Sequence, residues 1–201
     1  MIWWLHARAI PLVAATVVGA FLAALLVGRT AIPVPNLAGP AGELLVVQLL
    51  GAAPVLMLLH GIERGDTAAE AVAVRSARMR NLALCLTLTV TCSVAAAVLR
   101  VAVNSSECVS LARNVAGFLG VALLIRGIAG PALASVVVAV LPLLCAAAGW
   151  GPGGRPYAWA WPVHPANSHV AIVEAFVLLV LGCTMVLLRE QPIVTVQRPY
   201  S

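Results

Sequence analysis

The sequence predicts an all-α membrane protein in which one bundle of six transmembrane helices leaves both termini in the cytoplasm. Composition is the first reason: 62% of the 201 residues are apolar and only 9% are charged, whereas about a quarter of the residues of a soluble domain carry a charge. The second is that the apolar residues form six runs close to the length that crosses a bilayer. The third is an unequal distribution of arginines between the connecting segments.

The six predicted spans form a single transmembrane domain over residues 1–201. The first run, Ala9 to Gly28, has 20 uncharged residues, and at about 1.5 Å per residue this length matches a hydrocarbon core of about 30 Å. A cleavable signal peptide is the alternative for this run, but it is long for one and further spans follow. A short proline-rich loop, Thr30 to Pro40, separates the first two spans. The predicted spans are 9–28, 44–62, 81–103, 109–126, 130–150 and 169–188.

The fourth span has the weakest pattern. Only Asn114 to Ile125 is uncharged, so a helix that crosses the bilayer must include Arg113. A long arginine side chain can carry its charge to the headgroups while its stem stays in the apolar region. We therefore expect Arg113 to snorkel out of the span.

The arginines predict the orientation of the bundle. With the N-terminus inside, eight of the twelve arginines lie in cytoplasmic segments and four in outer segments, which is the bias expected of a multi-pass protein of the plasma membrane. The cytoplasmic ones are Arg8, Arg64, Arg75, Arg78, Arg80, Arg126, Arg189 and Arg198, and the outer ones are Arg29, Arg100, Arg113 and Arg155.

The absence of lysine limits the chemistry of the chain. All twelve basic residues are arginines, which excludes a lysine-dependent phosphate loop or Schiff base. No ATPase or other catalytic motif is found, so we expect neither an enzyme nor a cofactor in this chain, and any ATP hydrolysis would belong to a partner. The net charge of +5 is spread thinly, and nucleic acid is therefore not an expected partner.

The residues that could bind a metal ion are poorly placed for it. His164, His169 and Glu174 are spaced by five, which puts successive side chains about 140° apart on a helix. The five cysteines contain no C-x-x-C pair. We expect no metal site, and an intramembrane enzyme would lack a convergent set of nucleophile, base and metal ligands.

The longest polar segment, residues 61–80, follows the second span and is cytoplasmic in this topology. Asp66 is a suitable N-cap, Glu70 would lie in the early turns, and arginines at the far end would complement the helix dipole. These arginines are Arg75, Arg78 and Arg80. The pattern predicts a short cytoplasmic helix over 66–80. It would either dock on a partner that transmits force to both flanking spans, or be a polar loop that only holds the topology.

The segment between the fifth and sixth spans, residues 149–169, concentrates aromatic residues among four prolines. Trp150, Tyr157, Trp159 and Trp161 would form an interfacial aromatic belt in one interpretation. In the other, the segment is a re-entrant gate that includes Trp159 and Trp161, which requires that protein shields its backbone.

Glu174 lies about one turn inside the sixth span, and a carboxylate at this depth is a candidate functional group because burying its charge is costly. Either Arg100 or Arg113 is the expected partner, since the topology places both near the same outer face. A structural ion pair, interfacial exposure, and a substrate or proton site all remain interpretations of Glu174.

With six spans, a charged segment after the second and a proline- and tryptophan-rich segment before the sixth, the chain resembles the permease subunits of ABC-2 type exporters along most of its length. Three stretches look like the short permease-like membrane proteins of high-GC actinobacteria. They are E-R-G-D-T-A-A-E-A-V-A-V-R-S-A-R-M-R, A-R-N-V-A-G-F-L-G-V-A-L-L-I-R and Y-A-W-A-W-P-V-H-P.

The resemblance implies a function and partners. In that family the loop after span two carries a coupling helix that docks on an ATPase subunit, which corresponds here to 66–80, and the segment before span six forms a re-entrant hairpin. The implied protein is an exporter permease, driven by a separate ATP-binding subunit and paired with itself or a similar chain in the lipid bilayer. The fourth span is short for the family and only MIWWLHAR precedes the first, which leaves open an accessory subunit. A non-transporting scaffold, immunity factor or sensor anchor is the alternative.

Cysteine accessibility tests the predicted orientation. In a variant without the native cysteines, Ala158→Cys should react with a membrane-impermeant maleimide added to intact cells, and Ser76→Cys should react only after permeabilisation. The reverse pattern of labelling would invert the topology.

Overall fold

A computed structural model of the chain describes residues 9–28, 30–34, 42–64, 74–151 and 154–188. Within these ranges, six helices are long and apolar enough to cross a membrane, which confirms the predicted all-α bundle of six spans. Their bounds are Ile10–Val27, Val46–Arg64, Met79–Val103, Glu107–Ala129, Pro131–Ala148 and His169–Leu188. The fourth span, which had the weakest sequence pattern, is a full-length helix.

The elements in chain order are α1 (Ile10–Val27), β1 (Ala31–Val34), β2 (Gly42–Leu45), α2 (Val46–Leu50), α3 (Ala52–Arg64), α4 (Val74–Val103), α5 (Glu107–Ala129), α6 (Pro131–Ala148), a 3₁₀ turn (Trp161–Val163) and α7 (His169–Leu188). We call residues 149–168, between α6 and α7, the outer segment. The end of the bundle that carries it is called the outer end, following the orientation that the arginines predict, and the opposite end is the inner end.

A small antiparallel hairpin lies between the first two spans, where the sequence predicted a loop. β1 and β2 pair with Ala31 opposite Leu45 and Val34 opposite Gly42. Pro33 lacks an N–H group, and a strand of a two-stranded sheet tolerates this because one of its sides needs no partner.

The second span is interrupted at Gly51. α2 ends at Leu50 and α3 begins at Ala52. A Cβ atom at Gly51 would lie 3.1 Å from Cβ of Asn114 and 3.6 Å from the carbonyl oxygen of Leu111. The glycine therefore allows α5 to approach the backbone of the second span closely.

The third span is the continuation of a longer helix. α4 runs for 30 residues from Val74 to Val103, because this stretch contains no glycine or proline to interrupt it. The predicted cytoplasmic helix over 66–80 therefore does not end at Arg80. Its last turns continue into the span, and residues 66–73 lie outside the described part of the chain.

Helix α5 is the centre of the bundle. It contacts α1, α2, α3, α4, α6 and α7, and also the 3₁₀ turn. In its most apolar stretch 72% of the residues are buried inside the protein, against 56% or less in the other five spans. Its large side chains form much of the core, with Leu111, Val115, Phe118 and Leu119 almost fully buried. The other spans pack around this helix and present apolar side chains on their outward faces.

Two glycines bring α5 and α7 into backbone contact. A Cβ atom at Gly120 would collide with the backbone of Leu178 and Leu179, and one at Gly182 would lie 2.6 Å from the carbonyl oxygen of Gly120. Close approach through small residues is a common way for helices to associate in a membrane, where lipid is as apolar as the side chains.

Gly120→Ala should destabilise the bundle, because the new methyl group has no space between α5 and α7. We expect a loss of about 1–3 kcal/mol and a lower midpoint of thermal unfolding in detergent. Gly19→Ala is the matched control, since Gly19 also lies inside a helix and a Cβ there meets no atom within 4 Å. Equal unfolding midpoints for the two variants would contradict the tight crossing.

Candidate functional site

Four polar or charged side chains are buried in the part of the chain that the structure describes: Gln48, Ser110, Arg113 and Asn114. Three of them follow the spacing i, i+3, i+4 and so share one face of α5. Gln48 lies on α2, which contacts α5. Polar groups inside a transmembrane bundle are rare and are usually functional, so this cluster marks the candidate site.

Arg113 holds the outer segment to the bundle. Its Nη1 donates to the carbonyl oxygen of Pro165 at 2.8 Å and its Nη2 to that of His164 at 2.9 Å. Its Nε donates to Oδ1 of Asn114 at 3.2 Å. The side chain is only 7% exposed. The expectation that Arg113 snorkels is wrong, because carbonyl groups of the outer segment satisfy the guanidinium inside the protein.

Asn114 extends this attachment. It is fully buried, and its Nδ2 donates to the carbonyl oxygen of Pro162 at 3.4 Å. Its Cβ also faces the break at Gly51. Asn114 therefore lies where the second span, α5 and the outer segment meet.

Trp161 inserts the outer segment into the bundle. The indole is 5% exposed, and its centroid lies 5.8 Å from that of Phe118, with an interplanar angle of 58°. A Cβ atom at Gly117 would collide with the same ring, so the glycine provides the space for it. Gly117 is ten residues beyond the start of α5 at Glu107, or about 15 Å along the helix. The tryptophan thus reaches nearly half-way along α5.

The imidazole of His164 closes the outer segment on itself. Nε2 lies 3.0 Å from the carbonyl oxygen of Tyr157, and Nδ1 lies 3.0 Å from Oγ of Ser168. A carbonyl only accepts, so Nε2 carries a proton in this arrangement. The backbone adds a bond from the N–H of Tyr157 to the carbonyl of Gly149 at 2.8 Å. The segment is therefore a folded unit held by its own bonds.

The aromatic residues of this segment divide into two groups. Tyr157 is 40% exposed and Trp159 is 47% exposed, as expected of rings at the interface with headgroups. Trp161 is buried, which is what the re-entrant interpretation requires. Sequence reasoning grouped Trp159 with Trp161, although only Trp161 packs on α5.

Glu174 does not form the expected ion pair. The polar contacts of Arg113 in the described ranges are those to His164, Pro165 and Asn114, and Arg100 donates to the carbonyl and to Oδ1 of Asn104. Both guanidinium groups thus form hydrogen bonds with residues other than Glu174.

Glu174 is partly buried, and its Oε2 has no hydrogen-bond partner among the described residues. It interacts electrostatically with His164 and Cys145. The carboxylate therefore lies near the outer segment.

The residues predicted to dock an ATPase are only partly described. Asp66 and Glu70 lie outside the described ranges, and Arg75, Arg78 and Arg80 fall in the first two turns of α4. Also at the inner end, Arg126 of α5 lies 3.8 Å from Glu63 of α3, measured from Nη1 to Oε1. This pair connects the end of the second span to the central helix.

No group of three or more His, Cys, Asp or Glu residues is arranged to hold a metal ion within the described ranges. Comparison with protein-family models, with curated proteins and with solved structures gives no match. The geometry of the outer segment and of α5 is therefore the basis for the functional argument.

Sequence reasoning selected Arg113 and Trp161 but missed Asn114, Gly117 and His164 as their neighbours. A usable signal was present, because Arg113 and Asn114 are adjacent polar residues at the start of an otherwise apolar run. Their partners are mainly backbone carbonyl groups and a glycine, which no residue pattern distinguishes.

Replacing each of two tryptophans tests whether the outer segment is inserted. Trp161→Ala should cost about 3–5 kcal/mol, because it leaves a cavity against Phe118. Trp159→Ala, the same chemical change at an exposed position two residues away, should stay within about 0.5 kcal/mol. Thermal unfolding in detergent measures both, and similar losses would show that Trp161 is not packed on α5.

Proposed function

We propose that this chain is the membrane-spanning permease subunit of an exporter in the plasma membrane, driven by a separate ATPase subunit and paired with a second permease chain. The observation that supports this most is the seating of the outer segment on α5, the helix that contacts every other span. An ATPase acts at the inner end of such a subunit, whereas the exit for the substrate is at the outer end. A segment that closes the outer end and is attached to the central helix allows the first to open the second.

The inner end provides a place where a partner could bind and displace the helices. Residues 65–73 join α3 to α4, so a partner bound there would act on both helices. α4 is continuous over its 30 residues, or about 45 Å, and a rod of this length carries a displacement from one end of the bundle to the other. The Glu63 and Arg126 pair connects α3 to α5.

The outer end provides a closure that can be opened. Three side-chain hydrogen bonds from Arg113 and Asn114 hold the carbonyls of Pro162, His164 and Pro165. The two bonds from the charged Arg113 contribute about 1.5–3 kcal/mol each, and the neutral bond from Asn114 contributes about 0.5–1.5 kcal/mol. Releasing the segment must also withdraw Trp161 from α5, and movement of α5 against its neighbours would supply the driving force.

Charge reversal at the inner end tests the docking step. The chain should co-purify with an ATPase encoded beside it, and the combined variant Arg75→Glu, Arg78→Glu and Arg80→Glu should lose at least about tenfold of this association, because the ATPase surface would meet the wrong charge. Arg155→Glu, at an exposed arginine of the outer segment, is the control and should bind normally.

A chain that associates equally well with and without these three arginines would contradict docking at this segment. Absence of any ATPase gene beside this one would favour the non-transporting scaffold or sensor anchor instead.

A further inference from the structure

We propose that Arg113 is the binding group for an oxyanion, a phosphate or carboxylate, and that the outer segment occupies this site with its own carbonyl oxygens. As a statement about what is exported, this rests on the proposed function and names the substrate class as anionic. As a statement about a binding site, it can be tested on the chain alone.

The geometry around the guanidinium is that of an oxyanion site. Its two terminal nitrogens each hold a separate oxygen, at 2.8 Å from Pro165 and 2.9 Å from His164. Arginine binds carboxylate and phosphate in the same forked way, with two oxygens on two N–H groups. The carbonyls of two successive residues thus stand where the two oxygens of an oxyanion would lie.

The positive charge of Arg113 is not neutralised by the groups that accept its hydrogen bonds. Carbonyl oxygens satisfy the N–H groups but bring no negative charge, and none of the polar contacts of Arg113 with other described residues is to a carboxylate. The side chain is buried, and a charge away from water gains most from an opposite charge. An oxyanion would replace both hydrogen bonds and add the missing charge, which allows it to compete with the outer segment.

The surroundings also fit such a ligand. Ser110 and Asn114 lie on the same face of α5 as Arg113 and are buried, and Oδ1 of Asn114 accepts from Nε of Arg113, so this face carries neutral polar groups beside the charge. Glu174 opposes an anion when it is ionised, because it lies near the same segment and interacts with His164. We therefore expect Glu174 to weaken the site and not to form part of it.

Hydrogen exchange of the outer segment in nanodiscs tests the site. The baseline is the full chain in phosphatidylcholine, and the probes are inorganic phosphate added to these nanodiscs and, separately, nanodiscs that contain phosphatidylglycerol. An oxyanion that displaces the carbonyls should raise exchange over residues 157–168 at least about fivefold, because their anchor is lost. A response to phosphatidylglycerol alone identifies a lipid headgroup as the source of the oxyanion, and a response to inorganic phosphate identifies a soluble one.

Variants separate a binding role from a structural one. Arg113→Gln should raise the baseline exchange and abolish the response to either probe. Asn114→Ala should also raise the baseline but keep the response, since the guanidinium remains. Glu174→Gln should respond at a lower probe concentration, and Arg155→Gln, at an exposed arginine of the same segment, should behave like the wild type.

Two results would overturn the site: no response of the wild type to either probe, or a response that persists in Arg113→Gln. Neither result would bear on ATPase association, because no ATPase is present in this experiment.

Discussion

A buried guanidinium inside an apolar bundle needs hydrogen-bond acceptors within the protein, and this requirement shapes the outer half of the molecule. Arg113 meets it with two carbonyl oxygens of the outer segment and one amide oxygen of Asn114. The same bonds attach the outer segment to α5 through the carbonyl groups of His164 and Pro165. The position of the segment and the burial of the arginine therefore depend on each other.

Other features of the bundle follow from the central position of α5, the helix that carries Arg113. α5 is surrounded by the other spans, and glycines at three of its contacts make the close packing possible: Gly51 admits α5 to the second span, Gly117 admits Trp161, and Gly120 admits α7. α5 thereby contacts every other span. A displacement of α5 at the inner end would therefore change how the outer segment is attached.

Much of the fold could be predicted from the sequence, because the length and polarity of apolar runs are set by the thickness of the bilayer. The break at Gly51 and the continuity of α4 past Arg80 could not, since both depend on which helices pack together. In the candidate site, the place of Arg113 in the fourth span was predictable, but its burial and its partners were not. Backbone carbonyls leave no pattern in a sequence, and the obvious partner, Glu174, lies elsewhere near the segment.

The most direct test of this account is the distance between spin labels at Ala158, in the outer segment, and Val103, at the outer end of α4, measured by double electron–electron resonance. Both positions are exposed. If Arg113 fixes the segment, the wild-type background gives one narrow distance distribution, and Arg113→Gln broadens or shifts it. A distribution that is already broad, or one that Arg113→Gln leaves unchanged, would contradict the account.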